Sequence, residues 1–131
     1  ENIKVEVFPV PHGSWPNAWG FRFTTPDKVV VLSGDSSPSE KIIEYAKGAD
    51  VLIHEVYYSK GYDSKDALWK NYHAVHHTST IELADIASQA QPELIVLYHI
   101  LYWGATDNEL LNEISTNYNG KVIVGKDLDV Y

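Results

Sequence analysis

Three short apolar runs each end in side chains that can hold a metal or move a proton. Val29-Val30-Val31-Leu32 leads into Ser33-Gly34-Asp35, Val51-Leu52-Ile53 into His54-Glu55, and Leu94-Ile95-Val96-Leu97 into Tyr98-His99. In open α/β sheets ligands bind outside the carboxyl ends of the strands, where a pinned backbone hands over to a loop free to present side chains. His77 joins this set from just before a capping sequence at Ser79, where the positive end of a helix favours neutral imidazole. Each residue alone has a plainer reading: Asp35 an Asx turn, His99 a core histidine, Glu55 a solvated strand end. His54, inside a buried run, reads as structural. Their coincidence at one sheet edge is what points to chemistry. A His/Asp set in a chain without cysteine suits a hydrolytic zinc, manganese or iron site, where the metal lowers the pKa of water toward ~7. His73-x-x-His76-His77 has helical spacing for a second site, but beside Asn71 and Tyr72 the first two histidines read as part of a solvated loop.

The elements that must position these groups are legible from pattern. Residues 3–7 and Trp19-Gly20-Phe21-Arg22-Phe23 alternate with period 2, as half-wet strands do, and Thr25-Pro26-Asp27-Lys28 is a turn between strands. The continuous runs at Val29–Leu32, 51–53, 94–97 and Val122–Val124 predict strands covered on both faces by helices. Ser37-Pro38-Ser39-Glu40 predicts a helix capped by Ser37 and ended by Gly48. Ser79-Thr80-Ile81-Glu82 opens a second helix reaching about Ala90. Thr106-Asp107-Asn108-Glu109 opens a third, with Leu110, Leu111 and Ile114 buried. Residues 64–72 predict a short additional helix. The order β-β-β-α-β-(α)-α-β-α-β-β makes one layered α/β unit, residues 1–131, with a mixed sheet.

Composition narrows the function. With 131 residues, 44% of them hydrophobic, the chain is long enough for one domain with a real core. No run nears the ~18 apolar residues of a membrane helix, so no membrane association is expected. No targeting signal is legible, the cytoplasm being favoured over the periplasm for a soluble chain. The net charge of −8, with Arg22 the single arginine, argues against a nucleic-acid partner, which would need clustered cations. The chain contains no methionine and begins at Glu1, so it is expected to be a piece of a longer product.

At these residues the chain resembles the C-terminal half of a metallo-β-lactamase-fold hydrolase, an αββα sandwich, in the branch that includes the tRNA 3′-processing endonucleases. Val10-Pro11-His12-Gly13 before Ala18-Trp19-Gly20-Phe21-Arg22 resembles that family's third metal motif, and Leu32-Ser33-Gly34-Asp35-Ser36 its Ser-Gly-Asp-Thr motif. Ala49-Asp50-Val51-Leu52-Ile53-His54-Glu55 resembles its Ala-Asp-x-Leu-Ile-His-Glu stretch. His77-Thr78-Ser79-Thr80 resembles its His-Ser-Thr motif, and Leu97-Tyr98-His99 its last metal histidine. The resemblance implies two divalent metals, zinc foremost, with His12 and His99 as ligands and Asp35 bridging. It makes His77 and Glu55 the catalytic pair, His77 as proton donor oriented by Glu55. The reaction it implies is attack by a metal-bridging hydroxide on an ester, amide or phosphodiester.

Two departures refine that expectation. The family's His-x-His-x-Asp-His signature is absent from these residues, so an N-terminal half of the same fold is expected as a partner. This chain alone is expected to bind metal poorly and to be inactive. In addition, Asp35 follows His12 by only 23 positions, too few for the tRNA-gripping arm of the endonucleases. A small-molecule substrate is therefore expected over tRNA. Trp15, Trp19, Tyr98, Tyr102 and Trp103 lie near the site in sequence and are candidates for lining a substrate pocket, or for covering the core where the other half docks. A non-catalytic binding or dimerising module, possibly a homodimer, is the alternative from a different functional class.

Overall fold

The computed structural model describes residues 2–131. Its elements are β1 (Lys4–Pro9), β2 (Trp19–Thr24), β3 (Val29–Leu32), α1 (Glu40–Ala46), β4 (Val51–Tyr57), α2 (Ser59–Asp63), α3 (Ala67–His76), α4 (Thr80–Ala90), β5 (Leu94–Leu101), α5 (Asp107–Ser115) and β6 (Val122–Val124). The six strands form one sheet in sequence order. β1, β2 and β3 are antiparallel, and β3 to β6 run parallel, so their carboxyl ends share an edge. No helix among the described residues is long and apolar enough to cross a membrane.

Crossovers between parallel strands are right-handed, so α1, α4 and α5, joining neighbours in one direction, fall on one face. There α1 packs on α4 and α4 on α5. The register Val31–Leu52–Ile95 points into this layer, and all three side chains are fully buried. The opposite face carries two apolar rows, Val5–Phe23–Val30–Val51–Leu94 and Val7–Phe21–Leu32–Ile53–Val96–Ile123. Val5 and Val7 in these rows are about half exposed, at 51% and 52%. The expectation of helices on both faces is therefore corrected: within this chain the runs are apolar on both sides, yet helices cover only one.

The helix signals place two of three starts to the residue. Ser79/Glu82 and Thr106/Glu109 form complete capping boxes. The first start shifts: Ser39, not Ser37, caps α1 by accepting from the Lys41 N–H, while the Ser37 N–H donates to the Pro11 carbonyl. The serine nearer the site thus ties the loop after β3 to the loop carrying His12. The short helix expected at 64–72 is instead α2 followed by α3, the latter capped by Asp66 accepting from the Trp69 N–H. His73 and His76, expected on a solvated loop, occupy the last turns of α3 and are each 8% exposed. No strand follows β6 among the described residues.

Two backbone devices aim the site. Glu55 pairs with Tyr98, but Val56 pairs with Ile100, so His99 is the extra residue of a β-bulge. It sits at φ 42°, a left-handed conformation that costs a non-glycine residue on the order of 1 kcal/mol. At the end of β3, Gly34 takes φ +67° with the Trp19 carbonyl oxygen 2.4 Å from where a Cβ would stand. Gly34→Ala should therefore destabilise the protein by roughly 2–4 kcal/mol, from left-handed strain plus a backbone clash that must be relieved. Denaturant midpoints of the two proteins check this; equal midpoints would contradict it.

Candidate metal centre

Glu55 is the hub of the sheet edge. It is fully buried, and its Oε1 accepts from the Ser36 N–H at 3.1 Å and the Thr78 N–H at 3.2 Å. The same oxygen receives the His77 Nδ1–H at 3.2 Å. Oε2 is buried without a partner among the described residues. Burial pushes the Glu55 pKa up, opposed by the hydrogen bond and charge of His77. His77 follows directly on α3, its N–H closing on the His73 carbonyl at 2.9 Å, and stands just before the Ser79 cap of α4. Ends of two helix dipoles of opposite sense therefore meet at this imidazole, where the sequence showed only the second. With Nδ1 committed to Glu55, Nε2 is the atom left for chemistry.

The His77 ring lies over that of His99, centroids 5.6 Å apart at 28°. Ligand-type atoms of Glu55, His77 and His99 all come within 4.8 Å of one another. Asp35 joins through a carboxylate oxygen 3.5 Å from His99 Nδ1, both side chains being roughly two-fifths exposed. His12 reaches the same region, its ring 5.3 Å from that of His77. Its Nδ1–H donates to the His76 carbonyl at 2.7 Å, at the end of α3, which leaves Nε2 with the free lone pair a metal requires. The neighbouring Gly13 N–H donates to the Val75 carbonyl at 2.7 Å, so the loop is pinned to that helix end twice. Two imidazoles and a carboxylate, those of His77, His99 and Glu55, thus stand close enough together to form a donor set suited to a divalent ion.

The beta-lactamase superfamily domain matches residues 1–100. The chain belongs to the beta-lactamase superfamily. Among its relatives, the ribonuclease Z of Limosilactobacillus fermentum is 30% identical over 128 residues, covering 95% of this chain and 39% of that protein. The ribonuclease Z of Haloarcula marismortui is 31% identical over 78% of this chain and 31% of its own length. Among solved structures, the metallo-beta-lactamase fold protein YhfI of Bacillus subtilis superposes with TM-score 0.80 at 24% identity, over 98% of this chain and 49% of that one. Human tRNase Z, short form, superposes with TM-score 0.65 at 18% identity, over the whole of this chain and 43% of that one. The fold is that of the metallo-β-lactamases, and the chain spans between about a third and a half of each of these proteins.

In this superfamily member the predicted site residues do not all converge equally. Asp35, Glu55, His77 and His99 meet at the edge, with His12 one ring away. His54 points from β4 into the helix layer, fully buried, with Nδ1–H donating to the Glu55 carbonyl at 2.6 Å; its structural reading stands. Trp103 packs against Tyr57 and His73, at 5.2 and 4.7 Å between centroids. Tyr102 borders the same cleft as Tyr98 and His99, its hydroxyl donating to Asp107 at 2.8 Å. Trp15 is largely exposed, 6.3 Å from His12 between ring centroids. The Trp19 carbonyl lies against Gly34, and the residue is nearly half exposed. Trp69 of α3 was not singled out beforehand, and His73 and His76, weighed as a second site and assigned to a solvated loop, stand buried beside it. Asp66 three residues before Trp69 was the available signal, an N-cap that starts the helix at Ala67 and so puts Trp69 and His73 one turn apart on it.

Proposed function

We propose that the intact protein is a metal-dependent hydrolase of small molecules, in which this chain supplies Asp35, His12 and His99 as metal ligands and His77 as proton donor. The observation that carries this reading is the convergence of Glu55, His77 and His99 within 4.8 Å, beside Asp35, at the carboxyl edge of the parallel strands. Two divalent ions held there, zinc foremost with manganese or iron as the other candidates, would supply an acidified water and stabilise charge on the attacked centre. Glu55, fixed by two backbone N–H groups, holds His77 Nδ1–H and so aims Nε2 at a leaving group. The two uncovered apolar rows support an N-terminal half of the same fold as the partner that covers the sheet and adds the remaining ligands. Without that half, this chain would bind metal weakly and turn nothing over.

Small-molecule esters, amides or phosphodiesters fit the net charge of −8 and the short His12-to-Asp35 segment, whose loop, strand, tight turn and strand leave no length for a tRNA-binding arm. The second reading, removal of tRNA 3′ trailers, draws on the ribonuclease Z relatives at about 30% identity. Both are tested on the intact protein with bis(p-nitrophenyl) phosphate, p-nitrophenyl acetate and a precursor tRNA. Turnover of a small substrate, abolished by 1,10-phenanthroline and restored by zinc or manganese, is expected. Turnover indifferent to the chelator would sink the metal reading. Efficient trailer removal would put the tRNA reading first, and no turnover by the metal-loaded protein would leave a binding module.

A further inference from the structure

Beside the proposed centre, α3 and the turn after β5 enclose a cleft of about 380 Å³ that the hydrolytic chemistry does not use. Its walls include Trp69, His73, Trp103 and Lys65. Trp69 stacks on His73 at 20° with centroids 5.5 Å apart, and Trp103 meets His73 edge-on at 4.7 Å. The walls grow from the elements that carry the chemistry. His73 lies one helical turn before His77, its ring 5.5 Å from that of His77, and Trp103 follows His99 by four residues. A group seated in the cleft is therefore one side chain away from the proton donor.

Two features mark this as a binding cleft and not mere packing. Trp69 is half exposed, with an indole face offered to solvent. His73 is 8% exposed, yet its Nδ1 has no hydrogen-bond partner among the described residues. Its helix neighbour His76 satisfies the equivalent atom on the Tyr72 carbonyl four residues back, at 2.7 Å. Buried polar atoms left unpaired in folded proteins are few, and each calls for a partner. The walls offer aromatic faces, which suit either a cation or another flat ring. Lys65 favours the ring: its ammonium already stands 4.7 Å over Trp103, where a cationic guest would sit, while the Asp66 carboxylate in the same wall is engaged in capping α3 through the Trp69 N–H at 3.0 Å.

We propose that this cleft is a substrate subsite for a planar aromatic ring, stacked on the exposed indole of Trp69 beside Trp103, of an aryl or nucleoside ester or phosphoester. The proposal rests on the hydrolase reading for the word substrate, but the ring's binding is measurable without turnover.

The test uses the intact protein labelled with 5-fluorotryptophan, in the presence of chelator, its four indole resonances assigned by single Trp→Phe replacements. Phenyl phosphate should shift the Trp69 and Trp103 resonances saturably and leave Trp15 and Trp19 in place. Cyclohexyl phosphate and phosphocholine, which keep the phosphoryl group but lack the flat ring, should shift neither. Trp69→Leu, a change at a half-exposed position that the fold tolerates, should weaken phenyl phosphate about tenfold, the scale of one lost ring stack. Equal shifts with cyclohexyl phosphate or phosphocholine, no shift at Trp69 and Trp103, or unchanged affinity in Trp69→Leu would each overturn the proposal. Hydrolysis is scored separately by turnover of the metal-loaded protein, so a failed hydrolase reading leaves the binding result interpretable.

Discussion

Replacing His77 by alanine in the intact protein should lower kcat by about 10²–10⁴-fold, the range over which a positioned general acid contributes, while bound metal stays unchanged. Asp35→Ala should abolish activity together with metal, because the proposed centre would draw on this carboxylate as a ligand. The contrast between these variants is the informative result, and it follows from geometry. His77 Nδ1 is occupied by Glu55, so the side chain has one free nitrogen and a fixed direction for it. Asp35 has no such commitment; its carboxylate stands two-fifths exposed beside His99. Glu55→Gln should fall between wild type and His77→Ala, since an amide oxygen still accepts from the Ser36 and Thr78 N–H groups but is a weaker, uncharged acceptor for the His77 Nδ1–H. Metal content by atomic absorption and kcat by steady-state kinetics decide the matter. Metal loss in His77→Ala would make His77 a ligand instead of an acid. Wild-type hydrolysis by Asp35→Ala would remove its role as a ligand.

How much of this was legible beforehand depends on whether the determining contact is local. The residues at the strand ends were readable because a strand's apolar run and the polar residue after it are adjacent in sequence. The same holds for Ser79/Glu82 and Thr106/Glu109, whose capping bonds span three residues. What failed was set across the fold. The position of His99 comes from a register shift against β4, and alternation along β5 alone cannot reveal a bulge. His73 and His76 looked solvated because polar neighbours flank them. Their burial comes from Trp69 and Trp103 around His73, and from Gly13, whose missing Cβ leaves room for the His76 ring. The bare face of the sheet was misread for a different reason. A strand that is apolar on both sides reports that both faces are to be covered, without reporting which segment covers them.

His54 shows what a buried imidazole does to acid tolerance, and the expected effect is large. Burial among the helix-facing residues of β4 lowers its pKa to about 4, against an ordinary 6.5, with the hydrogen bond to the Glu55 carbonyl opposing the shift. Between these values the unfolded chain binds a proton that the native protein refuses. Stability therefore falls as pH drops from 6.5 toward 4, by on the order of 3 kcal/mol over the window. That is a substantial part of the 5–15 kcal/mol typical of a folded domain. Glu55 acts in the opposite sense: its pKa is raised in the native state, so the native protein binds a proton more readily just above the ordinary carboxylate range, and part of the loss is offset there. The two contributions separate in a His54→Asn variant. Asparagine can keep a donor near the Nδ1 position and cannot be protonated, so the variant loses the His54 slope and keeps those of Glu55 and of His73, whose pKa burial also lowers. Denaturant unfolding of both intact proteins from pH 7.5 to 4.5 should show the wild type losing markedly more stability than the variant. Parallel curves would mean that His54 gains its proton without leaving the core, and that the unpartnered Nε2 finds an acceptor when charged.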